Sequence, residues 1–275
     1  MRLTETGLCL AALLPLLAGC AEYNTDCTGL VANPEQEIGF LGEDVPLERT
    51  YARHANNALG QLAADAMRNA RTGTSGTNPT ELGVFNGGGI RSEGICVTRT
   101  RFPRGVITRG EMHEVILFSN VVTVLDLTGA EVRAMFENSV SLLLPEGEPL
   151  VPPSGSGRFL HISEGSALTV DCTRPPGSRV TDLSIGGRDV LSGGDDEVYR
   201  VALSSFLLSG GDGYSMLAGL ANDEARQPLQ AQEFGGSDAR LTAEYLNATY
   251  PASSASSGPG LRVEPRITFV GCAQP

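Results

Sequence analysis

The chain has 275 residues, enough for one large domain or two small ones. Hydrophobic residues make up 41% of it, more than a disordered chain carries, and its formal net charge of -12 argues against a nucleic-acid polymer as partner, because phosphate backbones select basic surfaces. All 20 basic residues are arginine, which excludes a Walker phosphate loop and Schiff-base chemistry, and the 3 histidines stand at no metal-ligand spacing, which excludes a histidine-rich two-metal centre built by this chain alone.

In chain order, Arg2 is followed by an apolar run from Gly7 to Leu17 and then by Leu17-Ala18-Gly19-Cys20. The run is too short to span a bilayer as a permanent helix, and its small-residue end reads as a cleavage site. The segment resembles a bacterial lipoprotein signal. That resemblance implies a signal peptide over residues 1–20, lipidation of Cys20, and export to the periplasmic face of a bacterial membrane, with the outer membrane expected. Residues 21–44 are polar and mixed and read as a tether, with the folded domain expected over residues 45–272. After Cys9 leaves with the signal and Cys20 takes lipid, Cys27, Cys96, Cys172 and Cys272 remain. An even count in an exported chain favours two disulfides, with three pairings open. Because Cys27 and Cys272 lie near the chain ends, the expected pairs are Cys27–Cys272 and Cys96–Cys172. A four-cysteine zinc site is the other reading, and no CxxC spacing supports it.

Residues Ala55–Arg71 carry Leu59, Leu62, Ala63, Ala66, Met67 and Ala70 at helical spacing and predict a helix with one buried face. Thr72–Thr80 reads as a loop, and Leu82–Phe85 as a short strand ending at Asn86-Gly87-Gly88-Gly89. Thr108-Arg109-Gly110-Glu111 and Thr128-Gly129-Ala130-Glu131 are capping-box patterns that open two helices, with the apolar Val121–Leu127 between them as a strand. Pro145 ends the second helix, and Pro145–Gly157 is a loop. Strands follow at Phe159–Ile162, Ala167–Asp171, Val180–Ile185 and Tyr199–Leu203, with a Gly186-Gly187 hairpin turn. A late helix at Asp238–Ala248, a flexible Ser/Pro stretch at Pro251–Gly260 and a final strand at Leu261–Phe269 complete the chain. Interleaved helices, strands and hairpins predict an α+β domain with a mixed sheet and packed helices.

Four segments carry chemistry. Asn86-Gly87-Gly88-Gly89-Ile90-Arg91 follows a strand; its glycines let the backbone approach a ligand closely, and Arg91 offers a bidentate donor to phosphate or carboxylate. The Rossmann spacing is not met, since Ser92 stands where its third glycine belongs. In Ser205–Tyr214, Phe206 precedes Asp212 inside a glycine loop, a ring to stack on a flat ligand and a carboxylate to accept from hydroxyls. Taken alone, these two also read as a core phenylalanine and a turn aspartate. Phe118-Ser119-Asn120 is the third segment. Arg49 and Arg53, four apart before the first helix, are the fourth.

Together these segments resemble the C-terminal, substrate-binding domain of the 5′-nucleotidase/UDP-sugar hydrolase family. The likeness runs from about Val45 to Gly219, and its motifs stand in the family's order: the arginine lead-in, Gly60–Met67, Asn86–Arg91, Ile107–Glu111, Phe118–Asn120, Leu127–Val132, Gly157-Arg158-Phe159-Leu160 and Gly210-Gly211-Asp212-Gly213-Tyr214. The resemblance implies that Phe118 and Phe206 sandwich a nucleobase, that Asp212 bonds the ribose hydroxyls, and that Asn120 touches the base. It further implies that Arg49, Arg53 and Arg91 bind the phosphate end, that Asn86 holds the turn and the base side, and that Gly157 lets the base sit close. His161 stands where the family often has glutamine.

Family enzymes carry a metallophosphatase domain ahead of this one, with a two-metal site of Asp, His and Asn motifs. The residues before Arg49 contain no histidine and no such motif. The expectation is therefore a nucleotide-recognition domain linked to nucleotide catabolism, the substrate-binding part of a split 5′-nucleotidase. A separate metallophosphatase chain would supply divalent metals, and this chain would hold no cofactor. The alternative is a stand-alone nucleotide- or nucleoside-binding lipoprotein without catalysis. In neither case does this chain supply a catalytic or metal-binding residue.

Overall fold

A computed structural model of the protein describes residues 31–71, 79–94, 98–150, 157–232 and 236–275. The chain begins with β1 (Glu37–Leu41), β2 (Val45–Pro46), α1 (Arg49–His54), α2 (Ala58–Arg68) and β3 (Leu82–Asn86), which runs into a 3-10 turn at Gly87–Gly89. Then come β4 (Arg101–Phe102), β5 (Gly105–Thr108), α3 (Arg109–Val115), β6 (Val122–Thr128), α4 (Gly129–Val140), β7 (Leu160–Ile162), β8 (Ser166–Asp171), β9 (Val180–Ile185) and β10 (Arg188–Asp189). The last part holds β11 (Val198–Ser204), α5 (Ser205–Leu208), a series of 3-10 turns from Gly211 to Arg226, β12 (Leu229–Gln230), α6 (Asp238–Thr249) and β13 (Ile267–Val270).

Five strands form the central sheet in the order β12-β6-β11-β3-β7. Only β11 and β3 run parallel in it; the other neighbours are antiparallel, so the sheet is mixed as predicted. Alternate residues of a strand face opposite sides, and here each side has its own core. Val122 and Val124 of β6, Ala202 of β11 and Phe85 of β3 join the cluster under α2, α3 and α6. Leu125 and Leu127, Val201 and Leu203, and Leu82 and Val84 join the cluster under α4 and the second sheet, whose order is β10-β9-β8-β13.

Local chemistry sets the helix boundaries. Thr108 and Glu111 form a reciprocal capping box at α3, and Thr128 and Glu131 form another at α4. The predicted helix over Ala55–Arg71 is shorter, α2 alone over Ala58–Arg68. The Asn57 side chain accepts from the N–H groups of Leu59 and Gly60 and starts α2 there. Arg49 and Arg53 sit on the separate short α1. Gly186 and Gly187, with φ of 57° and 80°, make the two-residue β9–β10 turn that needs left-handed backbone at both positions.

The segment expected to be a tether, residues 21–44, contains β1. Ile38, Phe40 and Leu41 are buried there, and β1 pairs with β5. The expected final strand from Leu261 is shorter, β13 alone, though Leu261 makes a single bridge to Leu41. The expected flexible stretch from Pro251 holds a 3-10 turn at Ala252–Ser256.

The disulfide pairing departs from expectation. Cys172 and Cys272 are bonded to each other, so neither Cys27–Cys272 nor Cys96–Cys172 forms. The reason is strand pairing: β8 and β13 lie parallel with Asp171 opposite Val270, which brings the residues just after both strands together. Cys20, Cys27 and Cys96 lie outside the described residues, as do the signal segment and residues 72–78 of the expected loop.

Candidate functional site

Topology gathers the four segments at one edge of the central sheet. Strands β3 and β11 run parallel, so Asn86 and the start of α5 leave the sheet at the same end. Strand β6 is antiparallel to β11, with Val122 opposite Ser204, so the chain enters β6 from that end and brings Phe118 and Asn120 there. Strand β7 is antiparallel to β3, with Leu160 opposite Asn86, which places Gly157 at the same end. The result is a cleft of about 260 Å³ lined by Arg53, Asn86, Gly88, Gly89, Arg91, Phe118, Asn120, Gly157, Phe206 and Asp212.

The floor is backbone. Gly87 N donates to Phe159 O at 2.7 Å and Gly88 N to Gly157 O at 2.9 Å. A Cβ on Gly157 would lie 2.6 Å from Gly88 Cα and 2.7 Å from Asp212 Oδ2, so only glycine permits this closeness. A Cβ on Gly87 would lie 2.1 Å from Ala52 O, which shows how tightly α1 sits on the turn and so carries Arg53 to the cleft.

Asn86 Nδ2 donates to Asp212 Oδ2 at 2.9 Å. Asp212 has a φ of 52°, a left-handed conformation costly for a residue with a Cβ. Its loop is fixed from behind. The buried Tyr214 hydroxyl donates to Arg158 O at 2.5 Å, and Asn138 Nδ2 donates to Asp212 O at 3.4 Å. Burial raises the Tyr214 phenol far above its ordinary value, so the hydroxyl stays a donor.

The two rings stand open. Phe118 is 48% exposed and Phe206 is 39% exposed, in a fold whose other aromatic side chains include fully buried Phe85, Phe136 and Phe159. Exposed rings facing a cleft are the informative exception to burial. The Phe206 ring lies on Gly211, where a Cβ would meet ring carbons at 2.5 Å. The Arg91 guanidinium lies 4.8 Å from the Phe118 ring centroid, a cation–π contact.

Arg53 has its guanidinium pKa lowered by burial first and then by the positive charges of Arg49 and Arg91, against the opposing pull of Asp212 and Glu93. Crowded positive charge of this kind is relieved by an incoming anion. Arg49 does not line the cleft; it pairs with Glu93 at 3.4 Å beside it. His161 also lies elsewhere. It is buried in the core, its Nε2 is 2.9 Å from Ala52 O, and its ring packs where a Gly60 Cβ would be. Burial lowers its pKa to about 4, so the ring is neutral.

One residue at the site was not legible in advance. Asp238, the first residue of α6, accepts from Asn120 Nδ2 at 3.0 Å. In the sequence, Ser237-Asp238 reads only as a helix start. Among the described residues, no group of three or more His, Cys, Asp or Glu side chains is placed to hold a metal ion.

The family model for the C-terminal domain of 5′-nucleotidase matches residues 37–219. The trifunctional nucleotide phosphoesterase of Bacillus subtilis is 29% identical over 191 residues, covering 69% of this chain and 12% of that protein. Human 5′-nucleotidase is 29% identical over 224 residues, covering 77% of this chain and 33% of that protein. The crystal structure of a 5′-nucleotidase precursor from Thermus thermophilus superimposes with a TM-score of 0.63 at 29% identity, covering 86% of this chain and 40% of that one. The chain therefore spans less than half the length of each of these relatives.

Proposed function

The chain belongs to the 5′-nucleotidase C-terminal domain family, and from that premise we propose that its cleft recognises a nucleotide as the substrate-binding part of a 5′-nucleotidase. The nucleobase lies between Phe118 and Phe206, the ribose hydroxyls donate to Asp212, Asn120 meets the base edge, and Arg53 and Arg91 take the phosphate. Arg49 joins them only by leaving Glu93. The observation that carries this reading is the pair of exposed rings on a glycine-floored cleft with guanidinium groups beside it.

The reading assigns binding, not bond cleavage, to this chain. Hydrolysis by a two-metal route needs ligands that make a nucleophile and neutralise the phosphate, and a metallophosphatase unit would bring both. The phosphate-facing arginines favour such a unit, because they are most useful opposite a metal site. A second reading, a nucleotide- or nucleoside-binding lipoprotein that acts alone, rests on the fact that the rings and Asp212 all come from this chain. In both readings Cys20 carries the lipid that holds the domain at the periplasmic face of the membrane; fatty-acid labelling lost in Cys20→Ser tests that anchor.

The test is calorimetric titration of the chain from Ala21 onward with AMP, adenosine and UDP-glucose, beside Phe206→Ala. Binding of AMP above adenosine, lost in the variant, supports the reading. Absence of binding by all three overturns it. Recovery of a metallophosphatase chain on co-purification separates the first reading from the second.

A further inference from the structure

We propose that Asp238 is a positioning residue that fixes which edge of the Asn120 amide meets the ligand, so that the cleft selects bases that carry an exocyclic amino group where a 6-oxo purine carries its carbonyl. The inference rests on the nucleotide-binding reading above and names a preference within it.

An asparagine amide can accept from its Oδ1 or donate from its Nδ2, and a simple flip exchanges the two. Alone, Asn120 could serve a base edge of either kind. It is not alone. Its Nδ2 donates to Asp238 Oδ2 at 3.0 Å, and its backbone carbonyl accepts from Asp238 N at 2.9 Å. The neighbouring residues Val121 and Ser237 form a further antiparallel bridge. Ser119, on the other side, is held at a φ of 50°. The strip carrying Asn120 is thus stitched to the start of α6 by both backbone and side chain.

Asp238 is 1% exposed, and its Oδ1 accepts from Ala239 N at 2.7 Å. Burial raises its pKa to about 6, while the hydrogen bonds from Asn120 and Ala239 pull it down. At neutral pH the group is mostly ionised, and an ionised carboxylate only accepts. Nδ2 must therefore face it. The planar amide turns Oδ1 away from the carboxylate, and Asn120 lines the cleft. The edge presented there is an acceptor.

An acceptor suits the exocyclic amino group of adenine or cytosine. A 6-oxo purine would set one acceptor against another, and a site built with a buried polar group rejects a ligand that leaves it unpaired.

The test is titration of the full chain with AMP, with the purine ribonucleotide lacking the 6-amino group, and with the 6-oxo ribonucleotide. The wild type is expected to bind AMP about tenfold more tightly than either analogue. In Asp238→Asn the partner amide can either accept or donate, so Asn120 can flip, and the preference falls to within about twofold. A merely structural role for Asp238 would weaken all three ligands and leave their ratio intact. Asn120→Ala, which leaves Asp238 untouched, should lose the preference too and serves if Asp238→Asn does not fold. Equal binding of all three by the wild type overturns the inference while nucleotide binding stands. A preference retained in either variant overturns it as well. If no nucleotide binds the wild type, both the binding reading and this inference fall.

Discussion

Asn86 and Asp212, 126 residues apart in the chain, are joined by a 2.9 Å hydrogen bond from Nδ2 to Oδ2. The bond ties the glycine turn after β3 to the loop after α5 and commits one carboxylate oxygen to the protein. Asp212 also lines the cleft, where a carboxylate can accept from ligand hydroxyls. Asp212→Ala is expected to weaken adenosine and AMP equally, by about tenfold to a hundredfold, the worth of hydrogen bonds to a charged acceptor. Calorimetry with both ligands checks it. A loss confined to AMP would place Asp212 at the phosphate end instead.

Gly157 faces Gly88 and Asp212 too closely for any side chain. Its Cβ would lie 2.6 Å from Gly88 Cα, a backbone atom that cannot swing aside. Gly157→Ala should cost about 1–3 kcal/mol through overpacking and abolish detectable nucleotide binding by opening the floor. Urea unfolding and calorimetry on the same preparation separate the two effects. Wild-type affinity in this variant would show that the Gly88–Gly157 contact is not part of the ligand floor.

Arg53 sits among like charges, with Arg49 and Arg91 both lowering its pKa. Arg53→Gln should reduce AMP binding about tenfold, the value of a charge-assisted contact, and leave adenosine within about twofold. Salt adds a second reading. AMP binding by the wild type should weaken as salt rises, and less steeply in the variant, because ions screen exposed charges. The same salt slope in both proteins would mean that Arg53 does not face the phosphate.

What the sequence revealed here was local. The Thr108/Glu111 and Thr128/Glu131 boxes announce their helices because donor and acceptor lie three residues apart. Gly186-Gly187 announces its turn because only that backbone allows it. Pairings between distant segments were hidden. The β2 and β4 strands are two residues each and exist only through Val45 meeting Phe102 and Pro46 meeting Arg101. The Cys172–Cys272 bond follows from the β8–β13 pairing, not from the nearness of cysteines to chain ends. At the cleft, Phe118, Phe206, Asn86 and Asp212 were legible because ordered motifs carry them. Asp238 was not, since it reaches Asn120 from 118 residues downstream.

The Cys172–Cys272 disulfide closes a sequence separation of 100 residues. A loop of that length removes much unfolded-state entropy, so reduction or Cys272→Ser should cost about 2–5 kcal/mol. Urea unfolding of oxidised and variant protein measures it. A midpoint unchanged by the substitution would mean that the β8–β13 pairing holds the C-terminus without the bond.

Two buried groups with opposite acid responses shape the stability profile. The His161 pKa is depressed in the fold to about 4. The unfolded chain therefore takes up a proton below about 6.5 that the folded chain refuses. Stability from this residue is full above that pH and is lost as pH falls toward 4, by at most about 3 kcal/mol. Asp238 works the other way. Its pKa is raised from 3.8 to about 6, so the fold gains a proton first and is relieved as pH falls through that window. The two terms offset each other between about pH 6 and 4 in the wild type. Single variants separate them. His161→Gln should lose less stability on acidification than the wild type, and Asp238→Asn should lose more, both read from urea midpoints at pH 7.5 and 4.5. Parallel pH profiles for all three proteins would mean that neither group titrates differently in the folded and unfolded chains.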